Sequence, residues 1–343
     1  MNQYDHAVYI GRFQPFHKSH WETIKRALSI AKNVHVVVGY ERGSGRTVKN
    51  PFLPNEIEDM ILSCNYGILP SAVNDRLHIH KCPNDPDDSV WVQNVKSLVP
   101  DGKTALIGFK KDASSYYLNL FPEWEFVSTE GHDTTLNATD IRAAIFKDQF
   151  HTVKKDLCLT VYNLIEQKLL SPLRFLKEDY SYYESYKDSW SKSPYTPVFV
   201  TADAIVKWGH KTLWIKRGKV PGRGNLAFPR GFVEANETVL DGCLRELKEE
   251  TGLILDKSLV MGTFLADNPN RSLRGRVISH VFVFDITSQP DVLGNLKEST
   301  DEGCCFWVDI SDTQDNVDPH DPYALTFFED HLSILTHISK EWT

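Results

Sequence analysis

The chain has 343 residues, of which 41% are hydrophobic and 24% charged, and a formal net charge of -8 at pH 7. Such a length favours two compact units, each large enough to bury its own core, and no apolar run is long enough to span a bilayer. The acidic balance excludes a global basic face, so duplex nucleic acid is not expected as a partner; the opening MNQYDHAVYIGRF lacks the regions of a signal peptide, and the expected setting is cytoplasmic, with no membrane partner.

From the start, β-branched runs alternate with helical periods. His6–Ile10 reads as a strand, Ile24, Ala27, Leu28 and Ala31 fall at helical spacing, and Val34–Val38 reads as the next strand. A helix carrying Ile57, Met60, Ile61 and Cys64 follows, then strand Leu77–His80, helix Val90–Val99 and strands Thr104–Ile107 and Glu125–Val127. Strands separated by helices predict a Rossmann-like α/β domain over residues 1–150, a parallel sheet with helices on both faces.

Beyond Phe146, Leu157, Val161, Leu164 and Ile165 predict a helix, and a tyrosine-rich stretch, Tyr180–Trp190, leads into the turn-rich SKSPYTP. Residues 151–195 therefore read as a helical connector and linker. An α+β domain is expected over 196–343, with strands Val198–Val206, Leu213–Lys216, Leu259–Leu265, Val277–Ile286 and Phe306–Val308 and one strong helix, Val239–Thr251. The six cysteines, Cys64, Cys82, Cys158, Cys243, Cys304 and Cys305, form no CxxC pair and read as reduced thiols. Homo-oligomerisation is left open.

The first strand runs into Gly11-Arg12-Phe13-Gln14-Pro15-Phe16-His17-Lys18-Ser19-His20, directly before an amphipathic helix. A turn at the carboxyl end of the first strand that opens onto a helix N-terminus suits phosphate, because free N–H groups and the helix dipole face the anion. His17 and His20 can donate to phosphate oxygens as charge develops. This stretch resembles the GRFxPxHxGH signature of nucleotidyltransferases, and most closely that of nicotinamide mononucleotide (NMN) adenylyltransferases of the type fused to Nudix domains. Ser19 stands where that family usually has Gly.

Asn137-Ala138-Thr139-Asp140-Ile141-Arg142 is similar to the family's SxTxIR motif, with Asn in place of the first Ser; both residues cap helices. The resemblance implies that Gly11, Arg12, Phe13, Thr139 and Arg142 bind ATP and its phosphates, with His17, His20 and Arg142 serving catalysis. Gly108–Asp112, Phe121-Pro122 and Arg46–Pro51 also look like this subfamily. Arg46 and Trp91 are its candidates for NMN, Trp91 as a stacking partner for nicotinamide, although a Trp on a helix face is more often core. The implied reaction is attack of the NMN phosphate on the ATP α-phosphorus, giving NAD and pyrophosphate, with Mg²⁺ on the ATP phosphates.

GFVEANETVLDGCLRELKEETGL, from Gly231 to Leu253, places Glu237 and then Arg245-Glu246-Leu247-Lys248-Glu249-Glu250 at fixed spacings. Glu246, Glu249 and Glu250 share one helix face, and such repulsion calls for a hard divalent cation, Mg²⁺ or Mn²⁺, with oxygen ligands. Gly231 is expected to permit the loop entering the helix, Gly252 to cap its end, and Arg245 to orient a carboxylate. The stretch fits the Nudix box at every fixed position. Glu246, Glu249 and Glu250 are then the metal ligands; Glu249 is also the catalytic candidate, and Glu302 is a candidate external base, with plain surface charge as its other reading.

In Asn268–Arg276, three arginines, Arg271, Arg274 and Arg276, fall within six residues. The segment resembles the RSxRGR run of ADP-ribose pyrophosphatases fused to NMN adenylyltransferases, although a charged hairpin tip would look the same. On this resemblance the second domain hydrolyses ADP-ribose to AMP and ribose 5-phosphate. Two rival readings remain: a pantetheine phosphate or cytidylyl transferase with a Nudix domain acting on NADH or dinucleoside polyphosphates, and a nucleotide sensor with one inactive domain.

Overall fold

A computed structural model describes residues 3–65, 75–85, 87–110, 113–129, 136–296, 305–315 and 324–342. The chain divides into two compact units, Met1–Glu41 with Arg46–Lys177, and Arg42–Gly45 with Glu178–Thr343. Among the described residues no helix is long and apolar enough to cross a membrane.

The first unit carries β1 (Tyr4–Gly11), α1 (Lys18–Ile30), β2 (Ala31–Tyr40), α2 (Pro54–Asn65), β3 (Leu77–Pro83), α3 (Asp88–Ser97), β4 (Thr104–Gly108), β5 (Glu125–Ser128), α4 (Ala138–Phe146) and α5 (Leu159–Leu164). The strands form a sheet ordered β3-β2-β1-β4-β5, parallel throughout. The order reverses between β1 and β4, and ligands of such sheets bind outside the carboxyl ends of the strands at that point. Alternation on β1 sorts the layers: Val8 and Ile10 join Trp91 and Val95 of α3 in one core cluster, while Tyr9 faces His20 of α1 on the other face.

The second unit contains most of α6 (Leu176–Trp190), then β6 (Val198–Trp208), β7 (Lys211–Lys216), β8 (Leu226–Ala227), β9 (Arg230–Phe232), α7 (Val239–Thr251), β10 (Val260–Ala266), β11 (Arg276–Asp285), β12 (Cys305–Asp309), α8 (Ile310–Asp315) and α9 (His331–Ser339). Its mixed sheet follows β10-β11-β6-β7-β12, with β8 on β7 and β9 on β6; β6 and β11 run parallel, and the other strand pairs named here run antiparallel. α7 packs on β6 through Leu247 and Cys243, both buried with Ala202 and Ala204.

The stretch read as a connector has no core of its own. As far as Lys177 it belongs with the first unit, where Val161, Tyr162 and Ile165 are buried. From Glu178 it belongs with the second. There Tyr183 is buried, and the Gly222 N–H donates to the Asp179 carboxylate at 3.0 Å. The tyrosine-rich stretch is thus a helix of the second unit rather than a spacer. The SKSPYTP turns after it are largely exposed.

Candidate active sites

In the first unit, β1 ends at Gly11, and the Phe13 ring lies where a Cβ on Gly11 would sit, 2.9 Å from that position. Any side chain at residue 11 would push the ring out of the turn. Phe13 itself takes a left-handed backbone, φ 51°, a conformation that costs a non-glycine residue on the order of 1 kcal/mol and is held only where surroundings enforce it. Gln14 supplies that enforcement. Its side-chain amide donates to the Phe52 carbonyl at 2.8 Å and accepts from the Phe52 N–H at 2.9 Å.

His17 precedes α1 and its N–H donates to His20 Nδ1 at 3.3 Å. The two imidazoles stack with centroids 3.6 Å apart, and Phe13 and Phe16 pack against His20. Burial lowers the His17 pKa to about 4. Burial, then the neighbouring His17, holds His20 well below the ordinary imidazole range. Both rings are therefore neutral at pH 7, and because His20 Nδ1 accepts, its proton sits on Nε2, which is left as a neutral donor. Ser19 lies in the first turn of α1 without a left-handed backbone, so its position makes no conformational demand for glycine.

Arg142, in α4, reaches back to this turn. It donates to the Gln14 carbonyl at 2.6 Å and to Thr139 Oγ1 at 3.1 Å, while Asn137 caps the helix by accepting from the Thr139 N–H at 3.0 Å. Desolvation, then the charge of Arg12, lowers the Arg142 pKa to about 10, still fully protonated at neutral pH. Arg12 is exposed and donates to Asn50 at 3.4 Å. Lys49 feels both arginines; burial first, then Arg12, lowers its pKa. Lys49 lies within the Arg46–Pro51 stretch, and its neighbour Asn50 accepts from Arg12 just past β1.

Arg46 behaves otherwise. Its guanidinium makes a bidentate pair with Glu56 at 2.6 and 2.7 Å and donates to the Pro51 carbonyl at 2.9 Å, a staple for the loop before α2. Trp91 is 8% exposed, within the core cluster and edge-on to Phe121 and Tyr117. Its Nε1 is buried without a partner among the described residues.

In the second unit, Thr238 caps α7, accepting from the Asp241 N–H at 3.2 Å, and Gly252 ends it in a left-handed conformation, φ 81°. Gly231 lies within β9 opposite Ala202, not in a loop with special φ. Its need for glycine is steric: a Cβ there would stand 1.9 Å from the Glu246 carboxylate. Arg245 fixes that carboxylate from the other side, bonding Glu246 at 2.7 Å and Glu237 at 2.8 and 3.0 Å. It also reaches the exposed Glu249 at 3.4 Å. Glu250 accepts from the Arg230 N–H at 2.9 Å; burial above all, with the adjacent Glu246 adding to it, raises its pKa to about 7.

Glu246, Glu249 and Glu250 offer only carboxylate oxygens, a donor set for a hard divalent cation. The raised pKa of Glu250 reports a buried carboxylate whose charge lacks compensation, which is what such a cation supplies. Among the described residues no three acidic, His or Cys side chains converge on one point; Glu249 is turned toward Arg245, and closing the cluster requires its release. Glu302 lies outside the described residues.

The arginine run is not an open patch. Arg271 is buried in a bidentate pair with Asp330, 2.8 Å at both contacts, and Arg274 is buried 3.4 Å from Glu329 and over the Phe232 ring. Arg276 is half-buried, donating to the Asp267 carbonyl. Arg230, absent from the sequence reading, joins this network through Glu329 at 3.1 Å and the fully buried Asp203 at 3.4 Å. Asp330 and Glu329 lie 59 and 55 positions beyond Arg271 and Arg274, a separation no sequence motif spans.

A cytidylyltransferase-like family model matches residues 8–60 and a NUDIX domain model residues 198–329. The nicotinamide/nicotinic acid mononucleotide adenylyltransferase of Acinetobacter baylyi is 40% identical over 152 residues, 43% of this chain and 78% of that protein. The chain belongs to the NMN adenylyltransferase family. To this the second unit adds the NUDIX domain, 42% identical over 112 residues to the ADP-ribose pyrophosphatase of Methanocaldococcus jannaschii, covering 33% of this chain and 62% of that relative. A crystal structure of a bifunctional NMN adenylyltransferase/ADP ribose pyrophosphatase from Francisella tularensis, complexed with AMP and a Mn ion, matches 99% of this adenylyltransferase-family chain and 100% of its own, with TM-score 0.83 and 28% identity.

Two outcomes follow from the geometry. A buried imidazole with a lowered pKa binds its proton less readily folded than unfolded, so His17 costs stability as pH falls from 6.5 to 4, by up to about 1.4 kcal/mol per pH unit. Urea denaturation at both ends of that window should show a smaller acid loss for His17→Asn than for the wild type; equal losses would contradict the assignment. In the NUDIX domain, Gly231→Ala should displace Glu246 and lower hydrolytic turnover at least ~10-fold with a nearly unchanged thermal midpoint. Full activity in that variant would refute the close approach.

Proposed function

We propose that the first unit joins NMN to the adenylyl group of ATP, giving NAD and pyrophosphate, and that the NUDIX domain hydrolyses ADP-ribose to AMP and ribose 5-phosphate. The observation that carries this reading is the match of the whole chain, both units in the same order, to a bifunctional protein of that description. The two site geometries agree with it.

In the transfer, an NMN phosphate oxygen attacks the ATP α-phosphorus as the bond to pyrophosphate breaks. No covalent enzyme intermediate is needed. The neutral His20 Nε2–H and the N-terminus of α4 aim donors at the phosphates, and Arg142, with Arg12 and Lys49, supplies positive charge that strengthens as pyrophosphate departs. Gly11 and Phe13 shape the turn so that its backbone meets the nucleotide. Arg46 bears on NMN by holding the loop through Glu56; Trp91 bears on it by the packing of its ring, with Nε1 as the one polar atom left for a ligand.

In the hydrolysis, Glu246, Glu249 and Glu250 would hold Mg²⁺ or Mn²⁺, which when bound neutralises the pyrophosphate and acidifies water. Arg245 and Glu237 hold Glu246 in place, and Glu249, the most exposed of the three, is the candidate to take a proton from water once it leaves Arg245. Arg276 is the arginine best placed to meet substrate, whereas Arg271 and Arg274 act by fixing Asp330 and Glu329. Glu302 remains the candidate base from outside the helix.

Separate sites predict separable losses. His20→Ala should lower NAD formation by two orders of magnitude or more, on the order of a general electrostatic or proton-donor contribution, and leave ADP-ribose hydrolysis intact; Glu250→Gln should do the reverse. Both activities are followed by chromatography of products from each purified variant. Loss of both activities in either well-folded variant would sink the assignment of separate sites.

A further inference from the structure

One guanidinium of the second unit stands outside its ionic network. Arg217 directly follows β7, and the turn back to β8 closes on its backbone: the Arg217 N–H donates to the Asn225 carbonyl at 2.9 Å, and its own carbonyl accepts from the Gly224 N–H at 2.7 Å. Its Nε donates to the Pro221 carbonyl at 2.8 Å, and its Cζ lies 4.0 Å from the centroid of the Phe328 ring. Phe328 is buried, and one of its ring carbons lies 2.5 Å from where a Cβ on Gly222 would stand. Backbone, Nε and ring contact together fix the orientation of the fork. Its two η-nitrogens bond nothing among the described residues.

Two further guanidiniums share the Phe328 ring, Arg230 with Cζ at 5.7 Å and Arg274 at 5.9 Å. Each has its carboxylate. Arg230 lies 3.4 Å from Asp203 and 3.1 Å from Glu329, and Arg274 lies 3.4 Å from Glu329. Among the described residues no carboxylate pairs with Arg217. Glu329 is engaged by the other two arginines, and Asp179 accepts from the Gly222 N–H at 3.0 Å. Desolvation, then the charges of Arg230 and Arg274, lowers the Arg217 pKa, yet a guanidinium stays protonated. A half-buried cation beside two like charges, without a carboxylate, is unfavourable to the fold alone and is relieved by an incoming anion. Two free donors in one plane match two oxygens of a phosphate.

A chain of contacts leads from the free fork to the carboxylate face of α7. The ring beneath Arg217 also carries the Arg230 side chain, and the Arg230 N–H donates to Glu250 at 2.9 Å. The charge of Arg217 reaches Glu250 as well, working against the burial that raises that carboxylate's pKa. We propose that Arg217 binds the diphosphate of the NUDIX substrate, a nucleoside diphosphate derivative, with its two η-nitrogens donating to phosphate oxygens. The inference rests on the hydrolytic reading of the second unit, and it adds to Arg276 a substrate contact from outside the Arg271–Arg276 run.

The test compares full-length wild type, Arg217→Gln and Arg217→Lys with ADP-ribose and Mg²⁺. Arg217→Gln should raise KM at least ~10-fold, the worth of a charge-assisted hydrogen bond, and Arg217→Lys, which keeps the charge and loses the fork, should raise it less. The thermal midpoint of Arg217→Gln without substrate should hold or rise, because the repulsion from Arg230 and Arg274 is gone. An unchanged KM, or a loss of activity that accompanies a lowered midpoint, overturns the proposal. Wild type that leaves ADP-ribose intact counts instead against the substrate assigned to the second unit. Arg217 is then judged by calorimetry with inorganic pyrophosphate and Mg²⁺: one binding event of the wild type should be lost or weakened ~10-fold in Arg217→Gln, and identical titrations overturn the proposal.

Discussion

A carboxylate seated where a side chain would otherwise stand sets the geometry of the NUDIX domain. Glu246 occupies the space that a Cβ on Gly231 would fill, so its carboxylate can lie against β9 only because residue 231 has no side chain. Arg245 then closes the arrangement by binding Glu246 and Glu237 together. With Glu246 fixed, the burial of Glu250 beside it follows, and so does the uncompensated charge that favours a divalent cation. Behind this layer, Asp203, Arg230, Glu329, Arg271 and Asp330 form a buried ionic network. Burying so many charges is costly unless each is paired, and their pairing holds β9 against the end of the chain that begins α9.

The first unit uses the same device with a different occupant. Phe13 fills the space over Gly11, and the aromatic wall it forms with Phe16 desolvates His17 and His20. Both imidazoles are neutral, and His20 keeps its proton on Nε2. The fixed positive charge comes instead from Arg142, Arg12 and Lys49. Arg142 bonds the Gln14 carbonyl, so the turn after β1 and the start of α4 are held in one geometry.

Much of this was legible in the sequence because it is local. The alternation of strands and helices in the first unit, helix Val239–Thr251 with its glycine cap, and the strand-turn-helix setting of the histidines all rest on periodicities and caps within a few residues. The reason for Gly231 was not legible, since it depends on a carboxylate fifteen positions away across two elements. The burial of Arg271 and Arg274 was not legible either, since their acidic partners, Asp330 and Glu329, lie far along the chain. The tyrosine-rich stretch has no clean apolar stripe, and its membership of the second unit follows from contacts such as Asp179 with Gly222. α9, apolar at Leu332, Ile334, Leu335 and Ile338, is too short for its period to stand out in the sequence.

The central claim is that one chain performs an adenylyl transfer and a pyrophosphate hydrolysis. The most direct measurement is product analysis on one purified sample supplied with Mg²⁺, with ATP and NMN in one reaction and ADP-ribose alone in the other. A chain with both activities gives NAD with pyrophosphate in the first and AMP with ribose 5-phosphate in the second. Substrate left unconverted in either reaction, with Mn²⁺ in place of Mg²⁺ giving the same result, would contradict it.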